Sequence, residues 1–276
     1  MSVSVTNDYV LGRSDAEHER LMKQARTIQP FTDRLLRDAG IRAGQRALDI
    51  GAGVGDVSLL LAKLVGDDGL VCGIDADESA LAKARARGEQ ASLRNLVFLF
   101  QDLNRLDLDG TFDAVVGRLV LMFLPAMSRI RILNSLAKRL NPGGVIVFQE
   151  PSWSDFFAHA RHLPLHAACG RLICETLSRA GAEPDMAVPL HHALAAARWL
   201  ITTIRVDVPL ATTADDLDWT ADLFATLRPR MDAYAIDYSL VGDVTSLPQR
   251  MRQEVVSAGS FGPVLGLVGV IARKAS

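Results

Sequence analysis

Residues 47–56 read Ala-Leu-Asp-Ile-Gly-Ala-Gly-Val-Gly-Asp, an apolar strand that runs into glycines spaced G-x-G-x-G and then into a helix. Glycine has no Cβ, so the backbone of such a turn can approach a ligand closely. The helix that follows presents unpaired N–H groups and the positive end of its dipole. A strand, a glycine turn and a helix in this order predict a cofactor site at one edge of a sheet.

Short apolar runs alternate with helical patterns from residue 46 onward, as in the βαβ units of a parallel sheet. The sequence therefore predicts an α/β fold with a doubly wound, mostly parallel sheet. The residues Asn141 to Gly144 are expected to end the last regular helix. The predicted strands lie at 46–50, 70–74, 96–100, 112–116, 145–149, 200–208 and 263–272, and the predicted helices between them at 56–65, 78–88 and 126–140.

A long helix is predicted before this alternation, over residues 14–39. Ser14 and Glu17 form a capping box at its start. Pro30 should kink or split the helix, because proline has no N–H and its ring crowds the preceding turn.

Three helical segments are candidates for a lid over the carboxyl ends of the strands, where open α/β sheets bind their ligands. The two insertions could equally supply the surface of a homodimer. We predict a helical lid at 1–39 and a cofactor-binding domain at 40–276 with insertions at 152–198 and 214–257.

The composition excludes several classes of function. A chain of 276 residues with 49% hydrophobic residues can bury a core without disulfides or metals. Its net charge of −2 gives no cationic field for a nucleic acid. No apolar run reaches the roughly 18 residues of a membrane span and no signal peptide is recognisable, so a cytoplasmic protein without a membrane partner is expected. Its three cysteines include no C-x-x-C pair, so neither a disulfide framework nor a zinc site is indicated.

Three carboxylates at predicted strand ends suit an adenosine cofactor that also carries a cationic group. Asp49 directly precedes the glycines, where it would meet an amino group favourably and a pyrophosphate unfavourably. Asp75 ends the second strand, a position from which both ribose hydroxyls can be bound. Asp102 follows the third strand, and the residues alone leave open whether it meets adenine or caps a turn.

A nicotinamide-dependent oxidoreductase is the alternative for such a glycine turn. That class uses G-x-G-x-x-G spacing, often with a catalytic Tyr-x-x-x-Lys pair, and this chain has neither pattern.

The acidic residue before G-x-G-x-G, Asp75, Asp102, the strand at 112–116 and the Asn-Pro-Gly-Gly turn at 141–144 together resemble the class I S-adenosylmethionine-dependent methyltransferases. The resemblance covers residues 40–150, and 93–150 is similar to the branch of quinone-biosynthesis C-methyltransferases and small-molecule O-methyltransferases. It implies a seven-stranded sheet ordered 3-2-1-4-5-7-6 with the last strand antiparallel.

The resemblance also implies S-adenosylmethionine as cofactor and assigns its contacts. The glycine turn would meet the methionine part, Asp75 the ribose, and the residues after the third strand the adenine. Arg118 would face the methionine carboxylate or the acceptor. The cofactor residues so predicted are Tyr9, Gln24, Asp49, Gly51, Ala52, Gly53, Asp75, Ala76, Gln101, Asp102, Leu103 and Arg118.

The expected acceptor is a small molecule, with oxygen favoured over carbon, nitrogen and sulfur. In-line methyl transfer from a sulfonium needs no metal, and none is predicted. A hydroxyl acceptor would benefit from a general base, and we predict catalytic roles for His166, Glu150 and Arg118. His159, His162 and His166 have the spacing of one helical face, which a solvated surface would also explain.

Two further alternatives stay open. Trp153 and Phe123 either shield the reacting centre or pack as ordinary core residues. The chain could also be a catalytically silent adenosyl-binding partner or sensor, because a fold does not guarantee chemistry.

Overall fold

The computed structural model describes residues 10–12, 14–211 and 213–274. Its main sheet is formed by seven strands, and two short strands, β7 (Leu210–Ala211) and β8 (Gly262–Pro263), pair with each other separately. The seven are β1 (Arg46–Ile50), β2 (Leu70–Asp75), β3 (Leu96–Phe100), β4 (Phe112–Arg118), β5 (Leu140–Ser152), β6 (Trp199–Asp207) and β9 (Gly266–Lys274).

The helices flank this sheet or follow its carboxyl edge. Short 3-10 turns lie at Leu103–Arg105, Leu121–Phe123 and Ser239–Val241. The α-helices are α1 (Asp15–Asp38), α2 (Asp56–Val65), α3 (Glu78–Gln90), α4 (Ala126–Ala137), α5 (Trp153–Ala160), α6 (Pro164–Arg179), α7 (Ala187–Ala196), α8 (Ala214–Leu217), α9 (Trp219–Ala233) and α10 (Leu247–Ser257).

The order of the main sheet is β3-β2-β1-β4-β5-β9-β6. The strands from β3 to β5 are parallel, whereas β9 is antiparallel to both of its neighbours. The predicted order is thereby confirmed, with β9 as the seventh strand. The central strands are buried on both faces, as in Ala47–Ile50, because helices cover the sheet on either side.

The structure differs from the local predictions at two places, because Pro30 does not split α1 and the helix before β5 ends earlier than predicted. Helix α1 runs unbroken through Pro30, which lies on its exposed side, where water can satisfy the carbonyl that loses its hydrogen bond. Helix α4 ends at Ala137, and Asn141–Gly144 belongs to the irregular beginning of β5 rather than to a helix end. The register of β4 on β5 shifts after Phe112 to accommodate these residues.

No helix among the described residues has the apolar length required to cross a bilayer.

Candidate functional site

A cavity of about 350 Å³ lies over the carboxyl ends of the central strands. We call one part of it the polar half, formed mainly by the turns after β1, β2 and β3 and by Arg118 at the end of β4. We call the other part the aromatic half, lined by Met122, Phe123, Leu124, Pro151, Trp153, Leu177, Ala180, Ala182, Trp219, Leu223 and Leu265. Helix α1 contributes His18, Arg20, Leu21 and Gln24 to the wall.

The glycine turn forms the floor of the polar half. Gly51 and Gly53 have positive φ angles of 65° and 51°, which side chains other than glycine rarely adopt. A Cβ on Gly51 would lie 2.5 Å from Cγ2 of Val120, whereas a Cβ on Gly53 would meet nothing within 4 Å. Gly53, together with Ala52, therefore borders open space that a bound molecule can fill.

Asp49 is a nearly unexposed carboxylate in the wall of the cavity, with 1% of its surface accessible. Ser58 Oγ donates a 2.5 Å hydrogen bond to its Oδ2. Burial raises the pKa of Asp49 to about 7, although the Ser58 hydrogen bond and the charge of Arg118 oppose the rise. A cationic group bound in the cavity would stabilise the ionised form. The site therefore fits a ligand that carries positive charge.

Asp75 ends β2 and also borders the cavity, as does Ala76. Its Oδ2 accepts from the Gly53 N–H at 2.8 Å and its Oδ1 from the Asp77 N–H at 2.9 Å. Burial raises the pKa of this carboxyl, and these two backbone hydrogen bonds oppose the shift. Each carboxylate oxygen has a second lone pair, so Asp75 can still accept from the hydroxyls of a ligand.

Gln101, Asp102 and Leu103 all line the cavity beyond β3. The Gln101 amide donates to the Asp107 carbonyl at 2.9 Å and accepts from the Asp107 N–H at 3.3 Å. The Asp102 carboxylate accepts from the Asn104 N–H at 2.9 Å. Asp102 thus caps the turn, the structural alternative raised by the sequence, while the three residues still border the same space.

Arg118 extends from the end of β4 into the polar half. One guanidinium nitrogen lies 3.3 Å from Thr32 Oγ1, and another lies 3.9 Å from Asp56 Oδ2. Burial lowers the pKa of Arg118, and the charges of Asp56 and Asp49 oppose the decrease. Because arginine remains charged in proteins, this group is a fixed cation available to an anionic ligand group.

Helix α1 brings one predicted residue to the wall. Gln24 Oε1 accepts from the Arg20 guanidinium at 2.8 Å and from the Trp219 indole at 3.1 Å. Tyr9 lies outside the described residues.

His18 also lines the cavity, although it is not among the residues predicted from the sequence. Its side chain is 3% exposed, and its Nε2 lies 3.9 Å from Asp77 Oδ2. Its buried Nδ1 has no hydrogen-bond partner in the described part of the chain. Helical periodicity could have identified it. His18 lies three residues before Leu21 and seven before Ala25, a spacing that places all three on the inward face of α1.

Glu150, predicted to have a catalytic role, is not among the residues that line the cavity. Its fully buried carboxylate accepts from the N–H groups of Val120 at 3.1 Å, Leu121 at 2.9 Å and Met122 at 3.2 Å. Burial raises the pKa of Glu150 to about 7, against these hydrogen bonds. Glu150 therefore fixes the turn that carries Met122 and Phe123, which do line the cavity.

The structure also places His166 away from the cavity. The imidazole is buried between α6 and α10, with Nδ1 2.7 Å from Glu254 Oε2. Burial lowers the pKa of His166, and Glu254 opposes this shift. The predicted common face with His159 and His162 is wrong, because α5 ends at Ala160 and α6 begins at Pro164. The described residues contain no cluster of three metal-ligating side chains.

Two tryptophans dominate the aromatic half. The ring centroids of Trp153 and Trp219 are 5.8 Å apart, and both side chains are almost completely buried. Trp153 also packs on Phe156, with centroids 4.9 Å apart. Trp153 thus serves the core and the cavity wall together, and Phe123 borders the same space.

Comparison with known sequences gives a family match over most of the sheet. The family described as methyltransferase domain matches residues 41–199, more than half of the chain. Demethylmenaquinone methyltransferase of Staphylococcus aureus is 34% identical over 120 residues, which are 43% of this chain and 48% of that protein. The chain is thus aligned with about half the length of these curated relatives.

Solved structures share the fold at low sequence identity. A cyclopropane-fatty-acyl-phospholipid synthase-like protein of Lactobacillus casei superposes with a TM-score of 0.61 at 20% identity, over 96% of this chain and 98% of that one. The YcgJ protein of Bacillus subtilis gives 0.59 at 14% identity, over 89% and 98%. The [4+2]-cyclase SpnF gives 0.55 at 20% identity, over 89% and 80%.

The family match, the strand order and the glycine turn beside Asp49 and Asp75 agree with one another. The chain belongs to the methyltransferase-domain family, with the class I fold that uses S-adenosylmethionine as its cofactor.

Proposed function

We propose that this protein transfers a methyl group from S-adenosylmethionine to a small, largely apolar molecule, with oxygen as the favoured acceptor atom. The observation that carries the proposal is the division of one cavity into a polar half with carboxylates and open glycines and an aromatic half. The first suits a cationic, hydroxyl-rich cofactor, and the second suits an apolar acceptor. Bound S-adenosylmethionine supplies an activated methyl group on its sulfonium.

In the proposed arrangement, each polar residue binds the part of the cofactor that its chemistry suits. Asp49 binds the amino group and Asp75 the ribose hydroxyls. Arg118 binds the methionine carboxylate. The backbone of Gly51, Ala52 and Gly53 lies along the methionine part, and Ala76, Gln101, Asp102 and Leu103 surround the adenosine.

The chain contributes to transfer by orienting the acceptor and excluding water. Among the described lining residues, the aromatic half contains no carboxylate and no histidine. The proposed rate enhancement therefore depends on alignment in a water-poor site rather than on a general base in that half. An acceptor hydroxyl that ionises readily, such as a phenol, fits this chemistry.

Helix α1 and the two insertions are proposed to act as a lid, because residues of α1, α6 and α9 line the cavity. A homodimer through the insertions stays a prediction, which sedimentation equilibrium would test. Carbon is the rival acceptor atom, since the Staphylococcus aureus relative is named for demethylmenaquinone. Because the alignment covers less than half of this chain, the substrate named for the relative is not assigned to this chain.

Binding and transfer should be measured in turn. Isothermal titration with S-adenosylmethionine and S-adenosylhomocysteine comes first, with Asp75→Ala as the matched variant. Incubation with methyl-deuterated cofactor and a panel of phenols and naphthoquinols follows, with mass spectrometry to detect transfer and NMR to separate O-methyl from C-methyl products. A folded protein that binds neither cofactor form would contradict the proposal.

A second candidate function is a non-methylating adenosyl-binding protein. A structural neighbour bearing the name of a [4+2]-cyclase illustrates that this fold is compatible with other activities. Micromolar cofactor binding without transfer to any acceptor on the panel would favour this candidate.

A further inference from the structure

Arg20 is a cation on the cavity wall that the proposed cofactor contacts do not use. Its side chain is only 6% exposed. Nε and Nη2 donate to the two oxygens of Glu17, both at 2.7 Å, and Nη1 donates to Gln24 Oε1 at 2.8 Å. These contacts use three of the five N–H groups of a guanidinium. Two donors remain for a bound molecule.

The Arg20 side chain is held rigidly by its neighbours. Gln24 also accepts from the indole N–H of Trp219, and Thr226 Oγ1 lies 3.4 Å from Glu17 Oε2. Both of these partners are on α9, so the network joins α1 to the helix that supplies one wall of the aromatic half. A guanidinium with this support loses little conformational entropy when it binds a ligand.

A purely structural role does not explain this network well. Burying an arginine and a glutamate costs desolvation energy, and apolar packing often joins two helices as well or better. Lys23 and Asp222 already form a separate ion pair between α1 and α9 at 2.7 Å. The position of Arg20 on the cavity wall is explained if its two remaining N–H donors bind a ligand inside the cavity.

The acceptor is the better candidate for that ligand than the cofactor. Arg118 already places a cation in the polar half, near the carboxylates of Asp49 and Asp56. Arg20 is linked instead through Gln24 to Trp219, whose ring lies 5.8 Å from Trp153. The Arg20–Gln24 pair thus connects the helix wall of the cavity to the aromatic half.

We infer that Arg20, oriented by Glu17 and Gln24, is a specificity residue that binds an oxygen atom of the methyl acceptor. This inference rests on the proposed function for the assignment of the two halves of the cavity. It defines the acceptor class as an apolar, ring-containing molecule with an oxygen that accepts hydrogen bonds from the guanidinium. A carboxylate and a neutral carbonyl both have this property. Gln24, expected from the sequence to hold the cofactor, becomes a positioning residue for Arg20.

The test uses three fluorinated probes of equal ring size in ¹⁹F NMR titrations of the full chain, with and without saturating S-adenosylhomocysteine. They are 4-fluorobenzoate with a carboxylate, 4-fluoroacetophenone with a neutral carbonyl, and 4-fluorotoluene without oxygen. We expect at least one oxygen-bearing probe to bind about tenfold more tightly than 4-fluorotoluene, the gain typical of a hydrogen bond from a charged donor. The stronger of the two identifies the oxygen as anionic or neutral.

The variant that removes the donors is E17Q/R20Q, which replaces both charges and leaves no unpaired buried carboxylate. R20K is the conservative companion, and K23Q is the matched control that breaks an α1–α9 ion pair away from the cavity. In E17Q/R20Q the preference for oxygen should fall to within about twofold, whereas K23Q should retain it. Thermal melts verify that each variant folds. If E17Q/R20Q does not fold, R20K provides the test, because it keeps the charge but should show a reduced preference for the oxygen-bearing probes.

Isothermal titration of S-adenosylhomocysteine into the same proteins separates this inference from the proposed function. Unchanged cofactor affinity together with a lost oxygen preference supports the role of Arg20. An equal affinity of the wild-type protein for all three probes overturns it. A tenfold loss of cofactor affinity in E17Q/R20Q also overturns it, because Arg20 would then belong to the cofactor site. Absence of cofactor binding by the wild-type protein would contradict the proposed function alone.

Discussion

The two halves of the cavity differ in how they are built. The polar half comes from the turns after β1, β2 and β3 and from Arg118 at the end of β4, so neighbouring strands place it and local sequence encodes it. The aromatic half is assembled from α5, α6, α9 and the turn after β4, which are distant in sequence. In an open α/β sheet the first kind of site is fixed by strand order, whereas the second depends on helix packing. The two halves of the cavity can therefore change separately.

The largest effect is expected at Glu150, which joins the sheet to the turn of the aromatic half. Glu150→Ala leaves two buried and one partly buried N–H group without an acceptor and should lower the free energy of unfolding by about 3 kcal/mol. Urea denaturation measures the change. Glu150→Gln keeps one acceptor oxygen and should lose less. Equal stability of Glu150→Ala and wild type would contradict the anchoring role.

The glycine turn offers a matched pair of substitutions. Gly51→Ala combines a positive φ with a 2.5 Å approach to Val120 and should cost about 2 kcal/mol of stability. Gly53→Ala has a positive φ but open space, so about 1 kcal/mol is expected. Its methyl group enters the cavity and should weaken cofactor binding. Thermal melts and isothermal titration distinguish the two, and a reversed order of stabilities would be inconsistent with this geometry.

Substitution of Asp75 tests whether the two halves of the cavity bind their ligands independently. Asp75→Ala removes a charged acceptor and should weaken binding of S-adenosylhomocysteine by roughly tenfold or more. Affinity of the cofactor-free protein for the fluorinated probes should stay unchanged. Asp109→Ala, which removes an exposed carboxylate outside the cavity lining, serves as the control for surface charge. Loss of both affinities in Asp75→Ala would show that the halves form a single unit.

Cofactor affinity should rise with pH because of Asp49. Its pKa of about 7 leaves it mostly protonated at pH 5.5, and a bound cationic amino group favours the ionised form. Arg118, Asp75 and Asp56 are the charged groups that act on this carboxyl. S-Adenosylhomocysteine should therefore bind about tenfold more tightly at pH 7 than at pH 5.5, with proton release. Isothermal titration in two buffers measures both, and Asp49→Asn should flatten the profile.

A raised carboxyl pKa affects the stability of the fold in the opposite direction, because stability should decrease as pH rises. A carboxyl whose pKa is higher in the folded state holds more protons there than in the unfolded chain. In the absence of cofactor, Asp49 and Glu150 therefore reduce stability as pH rises from about 4 through about 7. Comparing the pH dependence of melting with that of binding separates the two contributions.

His18 is expected to give the smallest effect. A cofactor that supplies a partner for its buried Nδ1 would lose one neutral hydrogen bond in His18→Ala, a decrease in affinity of about three- to tenfold. His18→Asn, which keeps a polar side chain, should recover part of it. The imidazole proton signals of His18 should also shift when S-adenosylhomocysteine is added. An unchanged spectrum and affinity would place His18 outside the binding contacts.

The sequence by itself determined the α/β core and the residues of the polar half. Apolar periodicity located the strands, and Asp49, Asp75 and Gln101–Leu103 lie at or just beyond strand ends that meet at one edge of the sheet. The contacts of Glu150 and His166, both predicted to be catalytic, could not be deduced in this way. His166 Nδ1 lies 2.7 Å from Oε2 of Glu254, 88 residues away, and the Glu150 carboxylate accepts hydrogen bonds from backbone N–H groups.

Only the tertiary structure shows which residues form the aromatic half and which partners the side chains of α1 contact. Periodicity shows which helical face is buried but not which helix covers it, so the pairing of Gln24 with Trp219, 195 residues apart, has no local signal. His18 was not predicted for the same reason. The sequence indicates that His18 is buried, but it does not indicate that Asp77 lies beside it. Local chemistry and strand order thus specify the polar half of the cavity, whereas long-range helix packing specifies the aromatic half.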